Sequence, residues 1–339
     1  MIFVTGGTGL LGSHLLFELT RTGATVKALK RSESNTRQVE AIFRFYGDLS
    51  LAQYNTIQWC NGDILDYFSL TDALEGVDTI YHAAAMVSFN SPQHQKMWQI
   101  NVEGTQNILN AAIEKKVNVF CHVSSIATLG NGINGTPITE ENLWQADEHH
   151  SEYASSKFRA EMEVWRASKE GLNTLIVNPS VIIGPGAANS STSKIIRLVN
   201  SGLPFYTNGK TGYVDARDVA LAMIALVEKK AFGERFILSA ENKSTLEMMK
   251  IMASELNTKA PTIQANQTIL WWGMMVNRLY SLLTGSEPIL TRESIRSTMG
   301  KAQYSSEKFT TQFNWTFTPI TKAVANAIAF YNPRNLLPQ

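Results

Sequence analysis

The chain has 339 residues, 44% of them hydrophobic and 17% charged, with a net charge of +1. That length can bury a large core and exceeds one simple domain, so a main domain with a smaller appendage is expected. A balance so near neutrality, with no long basic run, leaves no electrostatic footprint for nucleic acid or an anionic membrane surface. Cys60 and Cys121 are too few and too far apart for a metal site, and their apolar, strand-like settings fit reduced thiols in a cytoplasmic compartment.

Ile2, Phe3 and Val4 form a short apolar run suited to a strand buried on both faces, and Thr5-Gly6-Gly7 breaks it. With this strand starting at Met1, no secretory leader is expected. Gly7-Thr8-Gly9-Leu10-Leu11-Gly12 satisfies G-x-G-x-x-G, in which missing Cβ atoms permit a tight turn, close approach of backbone to a pyrophosphate, and close helix–strand packing. A helix from about Leu10 to Thr22, with Leu11, Leu15, Leu16 and Leu19 at helical spacing, aims its free N–H groups at such phosphates. Gly23 closes it.

Strand Thr25–Leu29 follows, then strand Thr56–Cys60, a short helix Phe68–Leu74, strand Thr79–Ala83 and a long helix from about Gln95 to Lys115. Strand Val119–Val123, helix Glu152–Lys169 and strand Asn173–Asn178 continue the alternation. The βαβα order predicts an α/β fold with a doubly wound parallel sheet, whose ligands bind beyond the carboxyl ends of the strands.

After Pro179 the pattern changes. Gly184-Pro185-Gly186, Ala187–Ser193 and Gly202–Gly212 read as loops. Val214–Glu228 and a strand Glu234–Leu238 read as a return to the main domain, and the chain beyond about Asn242 as mostly helical. The expected division is a dinucleotide-binding domain of residues 1–182 joined by 213–239, with 183–212 and 240–339 forming mainly a substrate domain. The apolar segment Ile269–Leu283, interrupted by Asn277 and Arg278, is too short to span a bilayer and reads as a buried or pocket-lining helix.

Tyr153 and Lys157 stand four residues apart, on one face of the expected helix. A nearby ammonium stabilises phenolate, which would lower the tyrosine pKa and make it a usable acid and base near neutrality. Ser124-Ser125, at the end of Val119–Val123, adds hydroxyls at the expected mouth of the site. His149-His150 is read as a solvated loop or substrate-side lid rather than a metal site, because adjacent histidines point apart.

Together these motifs resemble the extended short-chain dehydrogenases/reductases, in the branch of NAD(P)-dependent epimerase/dehydratases and dihydroflavonol-4-reductase-like proteins. The resemblance spans nearly the whole chain. It rests on Thr5–Gly12, Gly62-Asp63-Ile64, His82–Ala85, Asn101–Thr105, Val123-Ser124-Ser125, Tyr153-x-x-x-Lys157, Asn178-Pro179-Ser180 and Tyr213–Val219. It implies a Rossmann-type sheet with a smaller, mostly helical C-terminal substrate domain. It also implies Tyr153 as general acid or base, Lys157 on the nicotinamide ribose and tuning Tyr153, and Ser125 on the substrate oxygen. Thr5, Gly6, Gly9, Leu10, Leu11 and Gly12 would hold the dinucleotide, Asp63 and Ile64 the adenine, Ala83, Ala84 and Ala85 the trough with Val123, and Asn178, Pro179 and Ser180 the nicotinamide. His82 is read as part of the cofactor motif rather than a base, and Asn101 as a helix anchor.

Where NAD-preferring sites place an acid after the second strand, this chain has Lys30-Arg31. A guanidinium can grip a 2′-phosphate, so NADP(H) is favoured, with NAD(H) possible and Glu33 the displaced acidic partner. The sugar-nucleotide enzymes of the family tend to place an arginine just before the segment Tyr213–Val219, where this chain has Thr211-Gly212; an uncharged or apolar small-molecule substrate is expected. Trp271, Trp272, Met274, Met275 and Tyr280, with Leu203, Phe205 and Tyr206, offer apolar surface for it. Carbonyl reduction is the leading expectation. A nucleotide-sugar epimerase or dehydratase, a 3β-hydroxysteroid dehydrogenase-like enzyme and a cofactor-binding regulator are the alternatives, and the chain is expected as a monomer or homodimer.

Overall fold

The computed structural model describes residues 1–47, 50–132, 135–146, 150–186, 191–284 and 291–331. Its strands are β1 (Ile2–Thr5), β2 (Val26–Lys30), β3 (Gln58–Asn61), β4 (Thr79–His82), β5 (Val119–Val123), β6 (Asn173–Pro179), β7 (Val181–Ile183), β8 (Phe205–Tyr206), β9 (Lys210–Asp215), β10 (Arg235–Leu238), β11 (Glu241–Ser244) and β12 (Ile263–Gln264). Seven of them form one sheet in the order β10-β6-β5-β4-β1-β2-β3, and every pairing in it is parallel. The chain winds outward from β1 through β2 to β3, then crosses back to β4 on the other side. Strand order therefore reverses between β1 and β4, which opens a crevice at their carboxyl ends.

Both faces of the sheet are covered, which is why its strands read as continuous apolar runs. Val4, Ala28, Tyr81, Cys121 and Val177 pack on one face with the helices Leu10–Arg21 and Ala216–Glu228. Their neighbours Phe3, Leu29, Ile80, Phe120 and Ile176 pack on the other with Leu70, Ile108, Leu109 and Val164, as the two-residue period of a strand requires. A third core joins Ile183 and Tyr213 to Ile196, Met248, Met252, Val324 and Ala327, around a small sheet in the order β11-β9-β7. No helix among the described residues is long and apolar enough to cross a membrane.

The helices Arg37–Tyr46 and Ser50–Tyr54 and the strands β7, β8, β11 and β12 are not expected from the sequence, and three further elements differ from the expectation. The long helix Gln95–Lys115 is two α-helices, His94–Trp98 and Gly104–Glu114, joined by a π-helical stretch Gln99–Glu103. The cause is tertiary: Asn101 accepts from the Met86 N–H at 2.7 Å and donates to the Met86 carbonyl at 2.9 Å, a clamp placed in a widened turn. Part of the expected loop Ala187–Ser193 begins a helix, Ser191–Asn200, whose Ile196 and Val199 reach the third core; residues 187–190 lie outside the described residues. Gly212 lies inside β9 rather than in a loop, paired with Asn242 of β11, and glycine is required there because a Cβ would stand 2.3 Å from Ser239 Oγ.

Three histidines are buried neutral. Burial lowers His14 to about 4, against its bond to the Leu10 carbonyl, and His82 to about 3. Burial also holds His122 well below the usual range, and neither of its ring nitrogens has a partner. These folded-state pKa values lie below the unfolded ones, so stability is full above about pH 6.5 and falls as pH drops and the unfolded chain takes up three protons. Asp215, raised to about 6 largely by burial, opposes this with at most one proton taken up in the fold. The net slope near pH 5.5 is about 3 kcal/mol per pH unit. Urea melts from pH 7 to 5 should show this loss, and His122→Phe should remove about one proton's share of it; an unchanged slope contradicts the assignment.

Candidate active site

The turn after β1 leaves no room for side chains. Gly6 has φ +70°, and a Cβ on it would stand 2.6 Å from the Ala83–Ala84 backbone; one on Gly12 would stand 2.1 Å from the Gly6 carbonyl oxygen. Gly7, by contrast, faces only a Leu16 methyl at 2.9 Å, so the spacing that geometry enforces is Gly6-x-x-Gly9-x-x-Gly12. Gly9 is the N-cap of the helix Leu10–Arg21, with no side-chain cap and no acid in the first turn. A backbone cradle with open N–H groups and a positive dipole end fits a dinucleotide pyrophosphate. Leu11 is buried beneath it, and Leu10 Cδ1 packs 2.6 Å from where a Cβ on Gly186 would be.

Thr5 anchors this turn. Its hydroxyl oxygen accepts from Ala84 N–H at 3.3 Å and lies 2.7 Å from His82 Nδ1. The other ring nitrogen of His82 is 3.0 Å from Thr105 Oγ1, which donates to the Asn101 carbonyl at 2.6 Å. Both nitrogens of His82 are thus occupied in structural bonds.

The other predicted cofactor residues ring the same sheet edge. Lys30 ends β2, and Arg31, just beyond, pairs with Glu33 at 3.3 Å in an exposed ion pair. Asp63 Oδ1 accepts from Leu65 N–H at 2.9 Å, closing the turn after β3, and Ile64 is buried. Ala83 and Ala84 are half-buried and Ala85 is exposed, all just past β4. Asn178 and Pro179 end β6, and both are buried with Ser180. Asn178 Nδ2 donates to the Ser125 carbonyl at 3.1 Å and to Thr128 Oγ1 at 3.0 Å; Ser180 Oγ donates to the Leu238 carbonyl at 3.3 Å. The polar side chains at the end of β6 therefore brace neighbouring strands.

Ser125, Tyr153 and Lys157 are brought together. Ser125 follows β5, and its Oγ accepts from Ala127 N–H at 3.2 Å, capping a short 3₁₀ turn Ile126–Thr128. The helix Glu152–Lys169 is capped by Ser151, which accepts from Ala154 N–H at 3.0 Å, so Tyr153 stands in the first turn and Lys157 one turn on. Burial raises the Tyr153 pKa, against the lowering effect of its hydrogen bond with Ser125. The expected lowering by Lys157 is not seen: the buried ammonium donates to the Val123 carbonyl at 2.6 Å. Burial brings Lys157 itself down to about 8, against the charge of Glu161.

Beside this set lies a cavity of about 480 Å³, lined in part by Ile126, Ala127, Leu129, Ala154, Arg292 and Arg296. Glu293, also lining it, accepts from Glu152 N–H at 2.7 Å and lies 3.4 Å from His94 Nε2. The aromatic segment expected to line a pocket does not line this one. Trp271, Trp272 and Val276 on the helix Gln267–Thr284 are 48%, 60% and 65% exposed, whereas Leu203 and Tyr206 pack on the third core. His150 stacks on Trp144 and lies 2.7 Å from the Gln145 carbonyl; His149 lies outside the described residues. Sequence reasoning missed Thr128, Glu161 and Arg235, although Glu161 stands one turn beyond Lys157 on the same helix face.

A glycine turn at the switch point of a parallel sheet, with a serine, a tyrosine and a lysine at the neighbouring strand end, defines an NAD(P)-dependent oxidoreductase of Rossmann type. Residues 2–238 match the NAD dependent epimerase/dehydratase family. The chain belongs to that family, among the extended short-chain dehydrogenases/reductases. It is 27% identical over 338 residues to a putative dihydroflavonol 4-reductase of Synechocystis sp., covering 97% of this chain and 94% of the relative. It is 30% identical over 247 residues to cinnamoyl-CoA reductase 1 of Petunia hybrida, covering 70% and 72%. The crystal structure of gox2253 superposes with a TM-score of 0.81 at 30% identity, covering 98% and 97%.

Proposed function

We propose that the chain is an NADP(H)-dependent reductase that converts a ketone or aldehyde to an alcohol. The observation that carries this is the placing of Tyr153 beside Ser125 at the carboxyl end of β5, with burial raising the Tyr153 pKa and so favouring its protonated form. When bound, a nicotinamide dinucleotide supplies the hydride. Ser125 and Tyr153 hold the carbonyl oxygen, and the Tyr153 hydroxyl delivers the proton as negative charge develops there. A phenol held in its acid form suits reduction. Lys157 would hold the nicotinamide ribose and offset charge left on Tyr153. Residues 1–182 with 213–239 would form the cofactor-binding part, and 183–212 with 240–339 would mainly face the substrate. Free thiols at Cys60 and Cys121 fit a cytoplasmic enzyme. The relatives named reductases support the reading.

The preference for NADP(H) rests on Arg31. Its pairing with Glu33 is exposed and therefore weak, so a 2′-phosphate can compete for the guanidinium. The substrate would be a small molecule with a largely apolar body, matching Ile126, Leu129 and Ala154 in the cavity wall. Arg292 and Arg296 favour a second reading, in which that molecule also carries an anionic group, as a nucleotide sugar does. Among the described residues neither arginine belongs to an ion pair, and the absence of an arginine at Thr211-Gly212 leaves these two as the cations of the cavity wall.

Tyr153→Phe should cut kcat for a responsive ketone by roughly a hundredfold to ten-thousandfold while leaving NADPH affinity nearly unchanged; full activity refutes the assigned acid. NADPH should bind more tightly than NADH, and Arg31→Ala should narrow that gap by about tenfold or more; equal wild-type affinities overturn the cofactor preference. Steady-state kinetics on matched neutral and carboxylate-bearing ketones separate the two substrate readings. An apolar substrate predicts no change in either KM on Arg296→Ala, and an anionic one predicts a rise for the carboxylate alone.

A further inference from the structure

Behind Ser125 lies a buried carboxylate. The Glu161 side chain is 0% exposed, yet its Oε2 accepts from Ser124 Oγ at 2.7 Å, Thr128 Oγ1 at 2.9 Å and Asn178 Nδ2 at 3.2 Å. Its Oε1 accepts from Arg235 Nη1 at 3.2 Å. Ser124 precedes Ser125, Thr128 ends the turn that Ser125 caps, and Asn178 also holds the Ser125 carbonyl. The carboxylate thus gathers the groups that surround Ser125 on three sides without touching Ser125 itself. Arg235 comes from β10 and is fixed in turn by the Glu140 carbonyl, which both its Nε and its Nη2 reach. Glu140 closes the ring by accepting from Ile237 N–H at 2.7 Å.

We propose that Glu161 is a positioning residue: held from behind by Arg235, its carboxylate fixes the Ser124–Thr128 turn and Asn178 so that Ser125 meets Tyr153, and it supplies the negative charge facing Lys157. This rests on the reading of Ser125, Tyr153 and Lys157 as the reacting set. A carboxylate suits the place because all its neighbours are donors; hydroxyls, an amide and a guanidinium can all be satisfied by two acceptor oxygens and by no neutral side chain of that size. The groups facing Lys157 are Glu161 and Tyr153 on its own helix and His82 and His122 on β4 and β5, the last two neutral through burial. Glu161 is the one carboxylate among them.

Glu161→Gln separates the two duties. The amide oxygen can still accept from Ser124, Thr128 and Asn178, but the charge is gone and the NH₂ group meets the Arg235 guanidinium donor to donor. Loss of the charge moves Lys157 further below about 8. The test is dinucleotide affinity, read by quenching of tryptophan fluorescence with NADPH from pH 6 to 10, together with kcat and KM for a reduced ketone. In the wild type, affinity should weaken as pH rises through the Lys157 titration. In Glu161→Gln that midpoint should fall by roughly one pH unit, and kcat by about tenfold or more with KM little changed. Arg235→Lys is the second probe, for the case in which the glutamine variant does not fold: it keeps a cation behind the carboxylate, so the midpoint should stay while kcat falls. Midpoints that coincide in wild type and Glu161→Gln, or an unchanged kcat in Arg235→Lys, overturn the proposal. If the wild-type protein reduces no carbonyl, the reductase reading fails by itself, and the binding midpoint still decides the role of Glu161.

Discussion

The arrangement at the carboxyl edge of the sheet depends on how closely the turn after β1 lies against its neighbours. Gly6 abuts the Ala83–Ala84 backbone, and Gly12 comes over the Gly6 carbonyl with no space for a Cβ. This double approach brings the first turn of the helix Leu10–Arg21 against the end of β4, beside the switch point where β1 and β4 part company. Any larger side chain would push that helix off the sheet, and with it the Arg217–Glu18 pair that ties it to the helix Ala216–Glu228. The shape of the glycine turn and the packing of one whole face are consequently the same constraint.

Polar groups buried at this edge are satisfied in two separate systems, both crossing from strand to helix. One runs from the glycine turn through Thr5, His82, Thr105 and Asn101 to Ser156, which donates to the Tyr153 carbonyl. The other gathers on Glu161 from β5, β6 and β10. Ser125 and Tyr153 sit between them, each set by a different system. A buried polar network of this kind is costly unless every member is paired. Beside the site, both His122 ring nitrogens and Asn178 Oδ1 are left without a partner.

Much of the sheet was legible in the sequence because its strands carry their own evidence. Val119–Val123 and the helix Glu152–Lys169 have the predicted limits, since an apolar run and an N-capping Ser151 are local signals. The meeting of Ser125 with Tyr153 followed from strand order and family resemblance together. What was hidden depends on distant partners. The π-helical stretch at Gln99–Glu103 carries the Asn101 clamp on Met86, Gly212 is drawn into a strand by pairing with Asn242, and Glu161 looks like any helix-surface acid until β10 brings Arg235 behind it. Trp271 and Trp272 misled for the converse reason: composition marked them as pocket lining, but composition does not say which face a helix turns inward.

The direction of the hydrogen bonds between the glycine turn and Tyr153 has a chemical consequence. Thr105 spends its proton on the Asn101 carbonyl, so its oxygen must accept from His82 Nε2–H, and Nδ1 is left to accept from Thr5. Thr5 meanwhile accepts from Ala84 N–H. Every donor in the chain has one acceptor only while His82 is neutral. A second proton on its ring would set Nδ1–H against the Thr5 hydroxyl proton, and would add a cation beside Lys157. Burial forbids that charge, as the lowering of His82 to about 3 reflects. The buried histidine thus serves as a neutral spacer between the glycine turn and the helix Glu152–Lys169, and it leaves Lys157 as the sole positive charge next to Tyr153 among the described residues of this edge.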